Sequence, residues 1–491
     1  MSLLESFGWQ ILRSRLGKII GHRLGRRTLG GLRTLAVILL SGFLPGVVAG
    51  ALEPSATFAV SCVVPSVLVV LAMRNAASVP LRSAIQACIV LGVTLIPARF
   101  NVGWSVAAGA TRFVFKGILV AVLFCLGLFT GIRKPQSFLI WPVFVSFLAV
   151  ALISWLCSSR WDFASGAYAI ILFMGPIFSI SLVTGLSEPR ALRLLENMVF
   201  FSILVIYIQA LFVATLPETI GSALNWDAPS YTIERSRATV GGPNNVSGFI
   251  AFTAPTLASW FLAGRSRHMR RLGFLGLVCG TIVLAITQER GAFVSLIAGY
   301  LVMATSIPST GRRRLIPLVL ACSGLVLLFV PSYLSHSRFL SSWLDVSTMS
   351  RLQAFNDARE FFRVSPIFGR GFGLVYPRWW IERYMVFDGV ETLVDPHNIF
   401  VMVLVEAGIV GLSMFGWFLA ILWRQVRAPA TIVCDRYAAI QKASVLATLA
   451  SGMVFSVTSS ALAISPELSV PFWTIVGLGL AKLRSQGQPW G

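Results

Sequence analysis

The sequence predicts an all-α, polytopic membrane protein of about 12 to 14 spanning helices, each needing roughly 20 apolar residues. Three observations carry that prediction. Of 491 residues, 56% are hydrophobic and only 12% are charged, and the mean hydropathy is +0.80, whereas soluble proteins are about 25% charged. The apolar runs are continuous and do not alternate with the period of two that membrane barrel strands show. Lys and Arg gather in every second loop, as the positive-inside rule requires of cytoplasmic loops.

In chain order, residues 1–32 are a basic cytoplasmic segment with Arg13, Arg15, Lys18, Arg23, Arg26 and Arg27. This segment reads as uncleaved, although Ala49-Gly50-Ala51 resembles a small-residue cleavage site. Residues 33–216 hold apolar runs centred near 42, 64, 89, 121, 147, 176 and 205, and residues 217–245 form an outer loop. Runs near 254, 280, 300 and 323 occupy 246–331, with Arg290 at an outer hairpin; a large periplasmic loop follows at 332–397, and runs near 410, 448 and 476 fill 398–491.

Basic residues recur on one side at Arg74 and Arg82, Arg133 and Lys134, Arg190 and Arg193, Arg265 to Arg271, Arg312 to Arg314, Arg424 to Lys442, and Lys482 and Arg484. Both termini are therefore expected in the cytoplasm. The net charge of +21 reports topology and anionic-lipid contact, and nucleic acid is not an expected partner. The seven cysteines fall in or beside spans or in a cytoplasmic loop, so neither a disulfide nor a metal cluster is expected.

Long loops in compact membrane proteins are usually functional or separately structured. Within 332–397, Leu352, Phe355, Ala358 and Phe362 recur at helical spacing after Arg351, predicting an amphipathic helix at the outer interface that Pro366 ends. Gly369-Arg370-Gly371-Phe372-Gly373 then reads as a flexible turn, and Trp379, Trp380, Tyr384 and Phe387 suit the headgroup level.

The polar candidates crowd one face. His397, in Asp395-Pro396-His397-Asn398, stands where the large loop meets a span. Its ordinary pKa of about 6.5 suits it to proton transfer near neutrality, with Asp395 and Asn398 as supporting neighbours. Arg290 lies at the mouth of a helical hairpin, and its fork of donors matches phosphate oxygens. The alternative is an interface residue that snorkels beside Glu289. Arg237 precedes Gly241-Gly242-Pro243-Asn244, a turn into a helix that can serve an anion or merely cap it. Arg351 starts the amphipathic helix or is simply a solvated surface charge. Glu406, two turns into its span, is a functional candidate by its depth or the partner of a buried arginine.

At these residues the chain resembles the O-antigen ligase and O-antigen polymerase superfamily. The likeness rests on His397-Asn398 followed nine residues later by Gly408-Ile409-Val410-Gly411-Leu412, and on Arg237-Ala-Thr-Val-Gly-Gly-Pro-Asn-Asn, Thr287-Gln-Glu-Arg-Gly-Ala-Phe, and Arg351 leading to Ser365-Pro-Ile-Phe-Gly-Arg-Gly-Phe-Gly, all within 235–412. The resemblance implies a fold like the multi-spanning C-type glycosyltransferases and a metal-independent, cofactor-free transferase at the periplasmic face of the bacterial inner membrane. Its substrates would be an undecaprenyl-pyrophosphate-linked glycan and an acceptor, either a growing glycan or lipid A core. It further implies His397 as general base, Arg290, Arg237 and Arg351 on the pyrophosphate, and Asn398, Asp395, Glu406, Gly408, Gly411 and Asn244 in support. A flippase or transporter for the same lipid-linked glycan is the alternative. Transport paths usually bury several charges, and here the deep ones are few: Lys116, Glu196 and Glu406.

Overall fold

The computed structural model describes residues 114–133, 141–156, 163–184, 189–215, 243–264, 266–287, 289–307, 346–376, 393–427 and 436–485, with Val90, Leu186 and Ile316. The chain divides into two compact units, Met1–Cys88 and Ile89–Gly491, and the described residues all belong to the second. The runs near 42, 64, 89 and 323, Arg237, and the aromatics at 379–387 lie outside the described residues.

Twelve helices are described: α1 (Val114–Arg133), α2 (Trp141–Leu156), α3 (Phe163–Thr184), α4 (Pro189–Thr215), α5 (Pro243–Ala263), α6 (Arg267–Thr287), α7 (Arg290–Ser306), α8 (Val346–Val364), α9 (Ile399–Arg427), α10 (Arg436–Thr458), α11 (Ala461–Ile464) and α12 (Pro466–Ser485). The other ten apolar runs all fall on these helices. Among the described residues five helices are long and apolar enough to cross a membrane: Pro189–Ile208, Asn244–Ala263, Arg267–Thr287, Ile399–Arg427 and Tyr437–Thr458. The protein is an all-α, multi-pass membrane protein. The one addition is a pair of two-residue parallel strands, β1 (Val375–Tyr376) and β2 (Leu393–Val394), in register Val375 to Leu393. Strands of two residues leave no periodic signal in a sequence.

Inside lipid, helices associate through close packing and polar side chains, because water no longer drives apolar faces together. The α5–α10 pair illustrates this. Ser444, Thr448 and Ser451 on one face of α10 donate to the carbonyls of Pro255, Phe252 and Ala251 at 3.1, 3.1 and 2.7 Å. Pro255, inside α5, has no N–H for the carbonyl four residues earlier. That carbonyl belongs to Ala251, and the Ser451 hydroxyl takes the missing donor's place. A ring cluster joins α2, α3 and α9 through Phe147, Phe173 and Phe415, with centroids 5.6 to 5.9 Å apart.

The bundle has two chemically distinct ends. At one, Lys482 of α12 pairs with Glu196 of α4, and Arg484 donates to the Thr184 carbonyl at the end of α3. Thus Glu196, one of the few deep charges, is neutralised by a lysine of the bundle. At the opposite end lie the starts of α5, α7 and α9 and the end of α10.

Helix α9 is broken at Gly408, whose φ of 69° and ψ of −170° lie where only glycine is at ease. In an unbroken helix the amides of Ile409 and Val410 would bond the carbonyls of Val405 and Glu406. Here residues 366–371 insert into the break. Ile409 and Val410 donate to Pro366 and Ile367 at 2.9 and 3.2 Å, while the Val405 and Glu406 carbonyls accept from Arg370 and Gly371 at 2.9 and 3.0 Å. Two helical bonds are exchanged for four to the loop, so these two amides and two carbonyls are all satisfied at the kink. The approach is so close that a Cβ on Gly408 would strike the Ile367 carbonyl, and one on Gly369 would strike the Glu406 backbone. The glycine-rich turn read as flexible is therefore fixed by hydrogen bonds.

Helix α8 also differs from its sequence reading. It starts at Val346, so Arg351 lies inside it and does not begin it. Ala354 and Ala358 are its buried positions, whereas Leu352 and Phe355 are exposed. Small residues let α8 approach α9 and β2, and the large apolar residues point elsewhere. Its end at Val364, just before Pro366, agrees with the expected stop.

Candidate functional site

His397 sits between two caps. The Asp395 carboxylate accepts the His397 backbone N–H at 2.8 Å, an Asx turn across Pro396. The Asn398 side chain then accepts from the amides of Phe400 and Val401 at 2.9 and 3.2 Å and caps α9. The residue between these turns adopts φ 52°, the left-handed region, and is the single non-glycine residue with positive φ among those described. Asn398, expected to support proton transfer, fixes where the helix starts. Its side-chain oxygen is committed to the cap.

The His397 ring is 43% exposed, while Asp395 is 4% exposed and lies 3.3 Å from Nδ1. The same carboxylate oxygen, Oδ2, also accepts the Ser460 hydroxyl at 2.5 Å. A buried carboxylate needs such partners to remain tolerable. A carboxylate beside Nδ1 favours the proton on that nitrogen and leaves Nε2 as the basic one, so the arrangement can hold a base on a partly exposed ring.

Three consecutive residues at the end of α10 tie this junction to two helix starts. Thr458 packs against Gly291, next to Arg290 at the start of α7. The Ser459 hydroxyl accepts from Asn244 Nδ2 at 3.4 Å, at the start of α5. Ser460 holds Asp395. Because consecutive Cα atoms are about 3.8 Å apart, Arg290, Asn244 and the His397 junction share one end of the bundle. Sequence reasoning missed Thr458-Ser459-Ser460 altogether. The available signal was a run of three hydroxyl residues closing a long apolar span.

Glu406 is buried, and among the described residues no arginine pairs with it. Its Oε1 accepts the backbone amides of Gly373, Leu374 and Val375, each at 3.1 Å, and Ser154 of α2 donates to its carbonyl at 2.5 Å. Val375 begins β1, which pairs with β2, and β2 runs directly into Asp395. The carboxylate therefore anchors the loop whose far end presents His397. Gly408 makes the kink, and a Cβ on Gly411 would strike that of Ala407 on the turn before it. Arg290 is exposed at the first turn of α7. Arg351 lies on α8, which packs against β2, and its Nε is buried without a hydrogen-bond partner. Arg370 places its guanidinium 4.8 Å above the Phe361 ring. Among the described residues no group of three or more His, Cys, Asp or Glu side chains could hold a metal ion.

A family model described as O-antigen ligase matches residues 275–416. The match spans Arg290, Arg351, His397, Glu406, Gly408 and Gly411, and ends before the Thr458-Ser459-Ser460 hub. No curated protein matches the chain.

Proposed function

The chain carries an O-antigen ligase domain of the ligase and polymerase superfamily at residues 275–416, and on that premise we propose that it moves a glycan from undecaprenyl pyrophosphate to an acceptor hydroxyl at the periplasmic face of the bacterial inner membrane. The domain supports a ligase-type glycosyltransferase with a lipid-linked glycan and an acceptor as substrates. The observation that carries the finer reading is the shared end of the bundle, where His397, held against Asp395, stands near the start of α7 and its Arg290.

In this reading the acceptor oxygen attacks the anomeric carbon of the carrier-linked sugar. The bond from that carbon to the phosphate oxygen breaks, undecaprenyl pyrophosphate departs, and the acceptor proton passes to His397 Nε2. Pyrophosphate is a good leaving group once its charge is neutralised, so the protein's main tasks are to hold anionic oxygens and to place a base beside an alcohol. Arg290 is suited to the first task, with Arg237 and Arg351 as further guanidinium donors. Asp395 and Ser460 orient the base, while Glu406 and Gly408 hold the loop that carries it. No residue is assigned to a metal or cofactor.

Purified protein in liposomes with an undecaprenyl-pyrophosphate glycan, with and without lipid A core, tests the reading. Lengthening of the carrier-linked glycan alone identifies a polymerase, and transfer only when core is supplied identifies a ligase. Arg290→Lys keeps the charge but loses the bidentate fork, so the same assay is expected to show at least about a tenfold loss, near 1.4 kcal/mol of transition-state binding. A near-normal rate would leave Arg290 as an interface anchor.

A further inference from the structure

We infer that residues 364–368, the last residue of α8 and the turn that follows it, form a re-entrant wedge whose apolar side chains contact lipid acyl chains. Val364, Ile367 and Phe368 are 69%, 57% and 42% exposed, an unusual grouping for a loop meant to stand in water.

Depth is the first argument. The Pro366 and Ile367 carbonyls accept from Ile409 and Val410, and Ile409 is ten residues into α9, or about 15 Å along it. Kinked at Gly408, the 29 residues of α9 span at most roughly 43 Å, against a hydrocarbon core of about 30 Å. Sharing the excess between its two ends puts Ile409 about 8 Å below the hydrocarbon boundary. The second argument is independent of that estimate. Phe372, a few residues beyond the wedge, is buried with its ring 6.0 Å from Phe173, near the middle of α3 and within the ring cluster of the bundle. The loop therefore reaches well inside the helices.

Continuity of surface identifies the occupant. Ile409, Ser413, Trp417 and Ala420 form one exposed stripe down α9, and Leu152, Ile153 and Leu156 are exposed on α2, next to the Ser154 that bonds Glu406. An apolar outer stripe on a spanning helix faces lipid, and the wedge extends it. Irregular backbone at membrane depth requires that the protein satisfy its polar groups. The kink at Gly408 does so through the four exchanged hydrogen bonds.

Nitroxide labels on a ketone amino acid placed singly at Ile367, Phe368 and Glu360 avoid the native cysteines and test the inference in nanodiscs. Collision with oxygen, which concentrates in lipid, is expected to exceed collision with a water-soluble nickel chelate several-fold more at 367 and 368 than at Glu360, which is exposed on α8. Nickel-dominated collision at 367 and 368 overturns the wedge by placing it in water. Exclusion of both reagents overturns it too, by placing the residues under protein. Since a label could disturb the turn, the unmodified chain is also illuminated in bilayers whose lipids carry a diazirine on the acyl chain. Lipid adducts on the peptide containing 364–368 are expected, and their absence while α9 is tagged at Ile409 counts against the wedge.

Discussion

Replacing His397 with asparagine is expected to reduce glycan transfer by about a hundred- to ten-thousandfold, the range that a positioned general base supplies. Asparagine is the informative replacement because it tolerates the left-handed backbone that His397 adopts. The Asx turn and the α9 cap both use neighbouring side chains, so neither is lost. His397→Ala adds a backbone cost of about 1 to 2 kcal/mol and is expected to show an equal or slightly larger loss. Membrane insertion and detergent-solubilised thermal stability of His397→Asn are expected to match the parent. Transfer at a rate within a factor of a few of the parent would show that another group accepts the proton.

The largest structural effect is expected from Gly408→Ala. Any side chain at that φ and ψ costs about 1 to 3 kcal/mol, and the new Cβ would meet the Ile367 carbonyl. The clash is relieved only if the loop withdraws, which sacrifices the bonds from Ile409 and Val410 to Pro366 and Ile367, each worth about 1 kcal/mol. A loss near 4 kcal/mol follows, together with loss of transfer, because the same loop leads through β1 and β2 to Asp395. Limited proteolysis is expected to cut the variant within residues 364–376 faster than the parent, while α9 remains in the membrane. Parental protease resistance with full activity would mean that the kink is not what docks the loop. Gly411→Ala sets its Cβ against that of Ala407 on the preceding turn and only in ordinary contact with Val150 and Phe147 of α2; Gly411 is not the kinked residue, and a smaller effect is expected.

The helices were legible because a spanning helix announces itself by the length of an apolar run, and ten of the runs coincide with described helices. The His397 junction was legible for a related reason: a titratable group where a polar loop enters a span has few roles open to it. Other features were hidden by the solvent. In lipid, apolar does not mean buried: Leu352 and Phe355 of the amphipathic helix stay exposed, and Ala354 and Ala358 make its buried face. Gly408 was legible as part of a motif but not as a backbone break, since its meaning depends on a loop 40 residues earlier in the chain. Glu406 looked like half of an ion pair because depth alone reveals a need for partners without saying that three amides will meet it. Thr458-Ser459-Ser460 carried no periodicity, and only the fold shows that it joins three helix junctions.

Transfer and transport separate most directly in one measurement: release of undecaprenyl pyrophosphate, counted against glycan joined to acceptor, in liposomes containing the purified protein. One carrier released per glycan transferred, with both lost together in His397→Asn, is the expected result. Lipid-linked glycan that crosses the bilayer with its pyrophosphate linkage intact, equally in parent and variant, would contradict the transferase.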